Sequence, residues 1–317
     1  MTLLSGQDLP FAARLRVARH HAESFFRGTK QQLSLLTDFG VGDEAIYGIR
    51  SSVRHVSPNV RIEDICHDVP LGGILVGAWR LKRAVSLPTE KEGFGYIVVI
   101  DPGVGSERKG LAIMTKTGKY LVGPDNGVLS LAFLNEGIET AVEIENRSLT
   151  LLDLARSNTF HGKDVFAPIA AHLIRGVPIT EVGKVLDPDS LVKIKISSQT
   201  SADRRAGYLV DVDGFGSIRT NMPNHLPEDL IGEVVPATIE IGEKRIETNA
   251  KVVRTFAEAK EGEQILVPSS TGFIDLAISL RTGGRLKNAS EVFGITPREI
   301  ALDGELRPAG KISLALS

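Results

Sequence analysis

Tyr96-Ile-Val-Val-Ile-Asp-Pro-Gly-Val-Gly-Ser-Glu-Arg108 is the stretch on which the fold turns. Tyr96 to Ile100 is a β-branched apolar run too short for a helix, so it reads as a buried strand that delivers Asp101 at its carboxyl end. Upstream, Ile74, Leu75, Ala78, Leu81 and Val85 repeat at helical spacing, and Pro88 ends that period. Before them Arg61 to Ile65 resembles a strand. Ile46, Ile49, Val53 and Val56 mark another helix closed by Pro58, and Leu33 to Leu36 reads as the first buried strand. Downstream, Ala112–Thr115 and Tyr120–Val122 flank Lys116-Thr117-Gly118-Lys119 as a hairpin would, and Asp164–Arg175 reads as one closing helix. Strands alternating with helices predict an α/β domain with a mostly parallel or mixed sheet.

The α/β pattern occupies residues 31–200. Between Lys193 and Arg205 the sequence turns polar and loses its period, which places a boundary near residue 200. Beyond it, Gly207–Val212, Val234–Ile241, Arg245–Val253 and Gln264–Val267 alternate and are separated by turn residues, predicting an all-β, barrel-like domain over 201–317. Residues 1–30 stand apart. They carry five Lys/Arg against two acids, and Phe11, Leu15, Ala18, Ala22 and Phe25 fall on one face of an amphipathic helical extension.

With 37 Lys+Arg against 39 Asp+Glu, the chain has no large basic field, which argues against nucleic acid as a partner. The single cysteine, Cys66, cannot form an internal disulfide and reads as a small buried hydrophobe, in keeping with a reducing compartment. No run of 18 apolar residues occurs, and no secretory signal pattern opens the chain. The expectation is a cytoplasmic protein with no membrane partner.

Polar residues gather where strands end: Asp38 and Asp43 after the first, His67 and Asp68 after the second, Asp101 after the third. In open α/β sheets ligands bind at those ends, although loops are polar in any case. Thr37-Asp38-Phe39-Gly40 contains the DFG triplet of protein kinases, but neither a glycine-rich loop nor an HRD-type loop accompanies it, so that reading fails. Asp38 remains suited to accepting two hydrogen bonds from a vicinal diol. The Asp101–Arg108 turn can fold the arginine back onto the aspartate, as a site or as a plain salt bridge. His161 precedes a predicted helix N-terminus, where the dipole favours a neutral ring, and Gly162 removes a side chain that would crowd it. Asp125 in Pro124-Asp125-Asn126-Gly127 reads as a helix cap.

Taken together, Thr37–Gly40 with Asp43, Asp64–His67, Ile100–Arg108, Pro124–Gly127, Phe160–Ala171, Asp213–Asn221 and Ser269–Ala277 resemble the S-adenosyl-L-methionine hydroxide adenosyltransferases, relatives of fluorinases and chlorinases. The resemblance runs in order over residues 31–290. It implies an α/β domain followed by a β-barrel-like domain, assembled as a homotrimer with sites at subunit interfaces, converting S-adenosyl-L-methionine and water to adenosine and L-methionine. By this resemblance Asp101, Arg108 and His161 are catalytic, and Asp38 binds the ribose. Asp43, Asp213 and Ser270 surround the methionine part, and Asn221 belongs to the second-domain pattern among the substrate-binding residues. No metal and no cofactor is implied; the sulfonium compound is the substrate. The halogenases resemble this chain but lack the carboxylate at Asp101 and the His161-Gly162 pair, which favours water as nucleophile here. The chain departs from the family at Ser217, Ser269 and Ile274-Asp275-Leu276, where Asn, Asn and Leu-Glu-Ile are common.

In such a reaction the thioether leaves as a neutral group, so the task is to position and activate water. Arg108 stays protonated and favours hydroxide, while Asp101 or His161 accepts or relays the proton. Two rivals stand beside this reading. Asp38, Asp43, His67, Asp68, Asp101 and His161 supply ligand types for a metal-dependent hydrolase of another nucleoside-like substrate, though without HxH, HExxH or DxD spacing. A nonenzymatic S-adenosylmethionine or adenosine binding protein would use the same pocket.

Overall fold

The computed structural model describes residues 31–87, 94–154, 158–201, 203–280 and 287–316. The amphipathic helix expected within residues 1–30 lies outside them. The chain divides into two compact units, one of residues up to Gly72 with Arg80–Val192, the other of Gly73–Trp79 with Lys193 onward. The sequence assigned Gly73–Trp79 to the first domain. Within the second unit the Trp79 ring packs on Phe273 with centroids 4.8 Å apart, an aromatic contact that helical periodicity does not report.

Up to residue 192 the elements run β1 (Gln32–Thr37), α1 (Glu44–Val56), β2 (Arg61–Cys66), α2 (Ile74–Val85), β3 (Phe94–Val99), β4 (Gly110–Thr115), β5 (Tyr120–Pro124), α3 (Ser130–Glu136), β6 (Ile138–Ile144), α4 (Ala167–Ile174) and β7 (Gly183–Val185), all in the first unit except the part of α2 up to Trp79. The sheet order is β2-β1-β3-β5-β4-β6-β7. β2, β1, β3 and β5 are mutually parallel, and β4 enters as an antiparallel strand between β5 and β6. The sheet is therefore mixed. β3 is buried along its whole length, as its unbroken apolar sequence requires for a central strand covered on both faces. Ile49 and Val53 of α1 pack in the same core as Ala167, Ala170 and Ala171 of α4, whose small side chains let the helix lie close.

α4 is shorter than the predicted Asp164–Arg175. Residues Gly162–Phe166 form a π-helical turn instead, with the Ala167 N–H donating to Gly162 O. Proline at 168 has no N–H to offer the Asp164 carbonyl, and that carbonyl accepts from Leu151 N at 2.8 Å. Asp125 is not a helix cap. Its Oδ1 accepts from Val192 N at 2.9 Å, and α3 begins five residues later without a side-chain cap.

The second unit contains β8 (Gln199–Thr200), β9 (Arg204–Val212), β10 (Ile218–Pro223), β11 (Val234–Ile241), β12 (Lys244–Val252), β13 (Gln264–Pro268), β14 (Phe273–Ile278), α5 (Ala289–Phe293) and β15 (Gly310–Ala315). Strands β10-β14-β13-β12-β11-β15-β9 follow one another, and β9 pairs back onto β10. Seven strands thus close a barrel, with β8 paired to the first part of β9 and β10 to its last part. β11 alternates strictly between inward and outward residues, as a barrel wall must. Among the described residues no helix is long and apolar enough to cross a membrane.

Candidate active site

The carboxyl ends of β1 and β3, neighbours at the point where the strand order diverges, carry the site. After β3 the chain makes two tight turns, Val104 N donating to Asp101 O at 3.1 Å and Ser106 N to Gly103 O at 3.1 Å, with Gly105 at φ +80°. Only glycine takes that conformation without strain. The turns return Arg108 to Asp101: Nε donates to Oδ1 at 2.8 Å, and Nη2 donates to Oδ2. Both side chains are nearly buried, at 11% and 5% exposure, so this two-point pair is sheltered from solvent. The guanidinium also lies 5.4 Å over the Phe166 ring.

His161 completes the set, its Nδ1 2.8 Å from Arg108 Nη2. A guanidinium has only donors, so Nδ1 accepts and the ring proton sits on Nε2, 3.0 Å from Asn158 Oδ1. Burial first, and then the Arg108 charge, hold the His161 pKa below its usual value, against the opposing pull of Asp101 and Asp164. Burial and Arg108 thus act in the direction expected from the place of His161 before a helix, favouring the neutral ring. Gly162 is required by packing: a Cβ there would lie 2.8 and 3.0 Å from the two Val99 methyls.

Asp38 leaves the end of β1 in a turn fixed from beneath. Gly40 N donates to His67 O at 2.7 Å, and Thr37 Oγ1 bonds His67 Nδ1 at 2.9 Å. His67 Nε2 lies 3.1 Å from Asp64 Oδ1. The Asp38 carboxylate accepts from Gly72 N at 2.8 Å. Burial pushes its pKa up, the Gly72 N–H opposes this, and the Asp101 charge adds to it. Asp38, Asp101 and His161 line one cavity of about 390 Å³ together with Phe39, Leu71 and Phe160. The Phe39 and Phe160 rings meet edge to face, with centroids 5.7 Å apart. Apolar walls with two carboxylates and one polarised triad suit a cationic ligand carrying a flat ring.

The other predicted residues are elsewhere. Asp43 caps α1, accepting from Ala45 N at 2.7 Å, and does not line the cavity. In the second unit, Asp213 Oδ1 accepts from Phe215 N and Ser217 N, both at 2.9 Å, while Arg219 Nη2 lies 3.5 Å from Oδ2. Asn221 Oδ1 accepts from Tyr208 N at 2.6 Å and its Nδ2 donates to Ser197 O at 3.0 Å. Ser270 is exposed in the turn joining β13 and β14. Among the metal-ligand types, His67 is held between Thr37 and Asp64, and Asp68 faces Arg80 at 2.9 Å. Among the described residues no group of three or more His, Cys, Asp or Glu is placed to hold a metal ion. Cys66 is half-buried rather than fully buried, with Arg80 Nη1 3.4 Å from its sulfur.

Sequence reasoning missed Asn158, and also Asn126, whose Nδ2 donates to Ile100 O at 2.9 Å and steadies the peptide before Asp101. Asn126 stood within the Pro124–Gly127 turn, and for Asn158 the nearness in sequence to His161 gave the only signal.

Fold and site define a two-unit protein: a mixed α/β sheet presenting an Asp-Arg-His cluster at its strand ends, followed by a seven-stranded barrel. The chain belongs to the SAM hydroxide adenosyltransferase family, whose N-terminal domain matches residues 33–183 and whose C-terminal domain matches residues 207–300. It is 34% identical over 269 residues to the (R)-S-adenosyl-L-methionine hydrolase of Salinispora tropica, covering 84% of this chain and 94% of that one. Against the (R)-S-adenosyl-L-methionine hydrolase of Thermus thermophilus it is 30% identical, covering 77% and 90%. A fluorinase of Nocardia brasiliensis is 25% identical, covering 79% and 91%. The crystal structure of an uncharacterized conserved protein from Thermotoga maritima superposes with a TM-score of 0.74 at 31% identity, covering 89% of this chain and 99% of that one.

Proposed function

We propose that this protein hydrolyses S-adenosyl-L-methionine to adenosine and L-methionine, and that it accepts the (R) epimer at sulfur for which its relatives are named. The observation that carries the reading is the closed Asp101–Arg108–His161 set, whose Asp101 and His161 line the cavity that also holds Asp38 while Arg108 bonds to both from behind them. Water oxygen attacks the ribose 5′ carbon opposite sulfur, the C–S electron pair leaves with methionine as a neutral thioether, and one proton is released to the site. Arg108 favours the hydroxide form. Asp101 takes the proton, since each of its oxygens keeps a lone pair beyond its bond to Arg108, whereas both His161 nitrogens are engaged. Asp38 accepts from the ribose diol, and its negative charge, with that of Asp101, favours a sulfonium in the cavity.

On the family resemblance we further propose a cytoplasmic homotrimer in which a neighbouring subunit completes the site, with Asp43, Asp213, Asn221 and Ser270 on the substrate-binding side. The substrate is its small-molecule partner, with no cofactor, membrane or nucleic acid involved. Chromatography of reactions with separated sulfonium epimers, with chelator present and chloride varied, tests the activity. Adenosine and methionine should form in chelator and disappear in His161→Ala. Activity on another substrate that only a metal restores would replace this reading with a metal-dependent hydrolase. Tight binding without turnover would make the protein a binding module, and a chlorinated nucleoside would make it a halogenase.

A further inference from the structure

Asn158 approaches His161 from the side of the ring away from Arg108. Its Oδ1 is 3.0 Å from Nε2, while Arg108 Nη2 is 2.8 Å from Nδ1. With Nδ1 committed to accept, only the amide oxygen can face the Nε2–H, which fixes the orientation of the Asn158 side chain. Moving the ring proton to Nδ1 fails at Arg108, where it sets N–H against N–H, so Arg108 selects the tautomer and Asn158 fixes the direction in which the ring points. The loop carrying Asn158 lies against the turn that carries the pair: a Cβ at Gly105 would be 3.6 Å from the Asn158 main-chain oxygen.

We infer that Asn158 is a positioning residue of this site, holding the His161 ring in the orientation in which its Nδ1 lone pair meets Arg108 Nη2 and keeps Arg108 turned onto Asp101. The inference rests on the hydrolase reading for its consequence in turnover, but not for the ring orientation itself. The choice of amide over carboxylate has a physical reason. A carboxylate at this place would also accept from Nε2–H, but it would favour the imidazolium, whose Nδ1–H could no longer accept from Arg108. The charged groups already facing the ring are Arg108 and Asp101 from the loop after β3, and Asp164 from the π-helical turn, itself 3.1 Å from Lys163 Nζ. An uncharged acceptor adds direction without disturbing that balance.

The test uses the full chain labelled with ¹⁵N-histidine, with the His161 ring assigned by difference against His161→Gln. Wild type should show Nε2 protonated and Nδ1 bare at neutral pH. Asn158→Ala should free the ring to turn, shifting the Nδ1 resonance as its bond to Arg108 weakens, and lower kcat by about tenfold with KM within about twofold, the size of one lost orienting hydrogen bond. Asn158→Asp should raise the ring pKa, and with it the acid limb of kcat, by about one unit. Because Asn158 is exposed, both variants should melt as wild type does. A wild-type ring signature in Asn158→Ala, together with an unmoved acid limb in Asn158→Asp, would overturn the inference. Wild-type protein that shows the Nε2–H ring but turns over no sulfonium would support the tautomer assignment and overturn the hydrolase reading instead.

Discussion

The first unit and the second use the same kinds of polar side chain in opposite ways. Asp101, Arg108 and His161 bond chiefly to one another, whereas Asp213 and Asn221 bond chiefly to main-chain amides and carbonyls of their own barrel. A carboxylate tied to a backbone N–H is part of the fold, and moving it opens a turn or a strand. One tied to a neighbouring side chain can exchange partners around a substrate while the backbone stays still. Substitutions should therefore split into losses of rate in the first unit and losses of stability in the second.

Arg108→Ala should break the division most visibly, lowering kcat about a thousandfold with little change in melting temperature. Arg108→Lys should recover only a small part, because an ammonium cannot span both Asp101 oxygens and Nδ1 of His161. A stability loss matching the rate loss would place the pair on the barrel's side of the comparison. Next comes Gly162→Ala, where the added methyl must displace Val99 or Phe160, both lining the cavity, and should cost about a hundredfold in kcat. Asp38→Asn should raise KM about tenfold and leave kcat within about threefold, read by steady-state kinetics.

Acid sharpens the same contrast. Because the His161 pKa is held below 6.5, kcat should stay flat as pH falls through 6.5 and drop only below it. The unfolded chain takes up that proton first, so the contribution of His161 to stability diminishes as pH falls from 6.5 to its folded value. The raised Asp38 pKa predicts that substrate affinity weakens at a higher pH than an ordinary aspartate, at 3.8, would allow. In the barrel, Asn221→Ala removes the side-chain bonds to Tyr208 N and Ser197 O and should cost about 1–3 kcal/mol in thermal unfolding, with kcat unchanged in the folded protein. A fall in kcat at unchanged stability would show that Asn221 meets the substrate directly. The smallest effect is expected at the exposed Ser270, where Ala should raise KM about threefold with no change in melting.

What could be read from sequence followed the range of each signal. β1, β3, β4 and β5 were legible as short apolar runs bounded by a turn or a proline and β2 by a partial alternation, while Asp38 and Asp101 were legible because they sit where such runs end and His161 because it stands beside Gly162 before a helix. The fold of Arg108 onto Asp101 followed from the glycines between them. β6, β10, β14 and β15 were not found: sequences such as Ile138–Ile144 and Ile218–Pro223 are half polar, and their pairing is decided by distant strands. The π-helical turn before α4 escaped because it depends on Leu151 reaching the Asp164 carbonyl, a contact between loops. For Asp43 and Asn221 the family pattern pointed to substrate, while their own bonds run to backbone groups, and only coordinates reveal that.

The spacing within the triad has a consequence for how activity is acquired during refolding. Asp101 and Arg108 are seven residues apart and joined by a turn of their own, so closing that loop costs little chain entropy. His161 lies 53 residues beyond Arg108, and it arrives only once the strands between them have paired and α4 has docked. Recovery of the His161–Arg108 contact after dilution from denaturant should accordingly trail the formation of the loop and coincide with the slowest step in completing the first unit, with turnover returning only once subunits assemble.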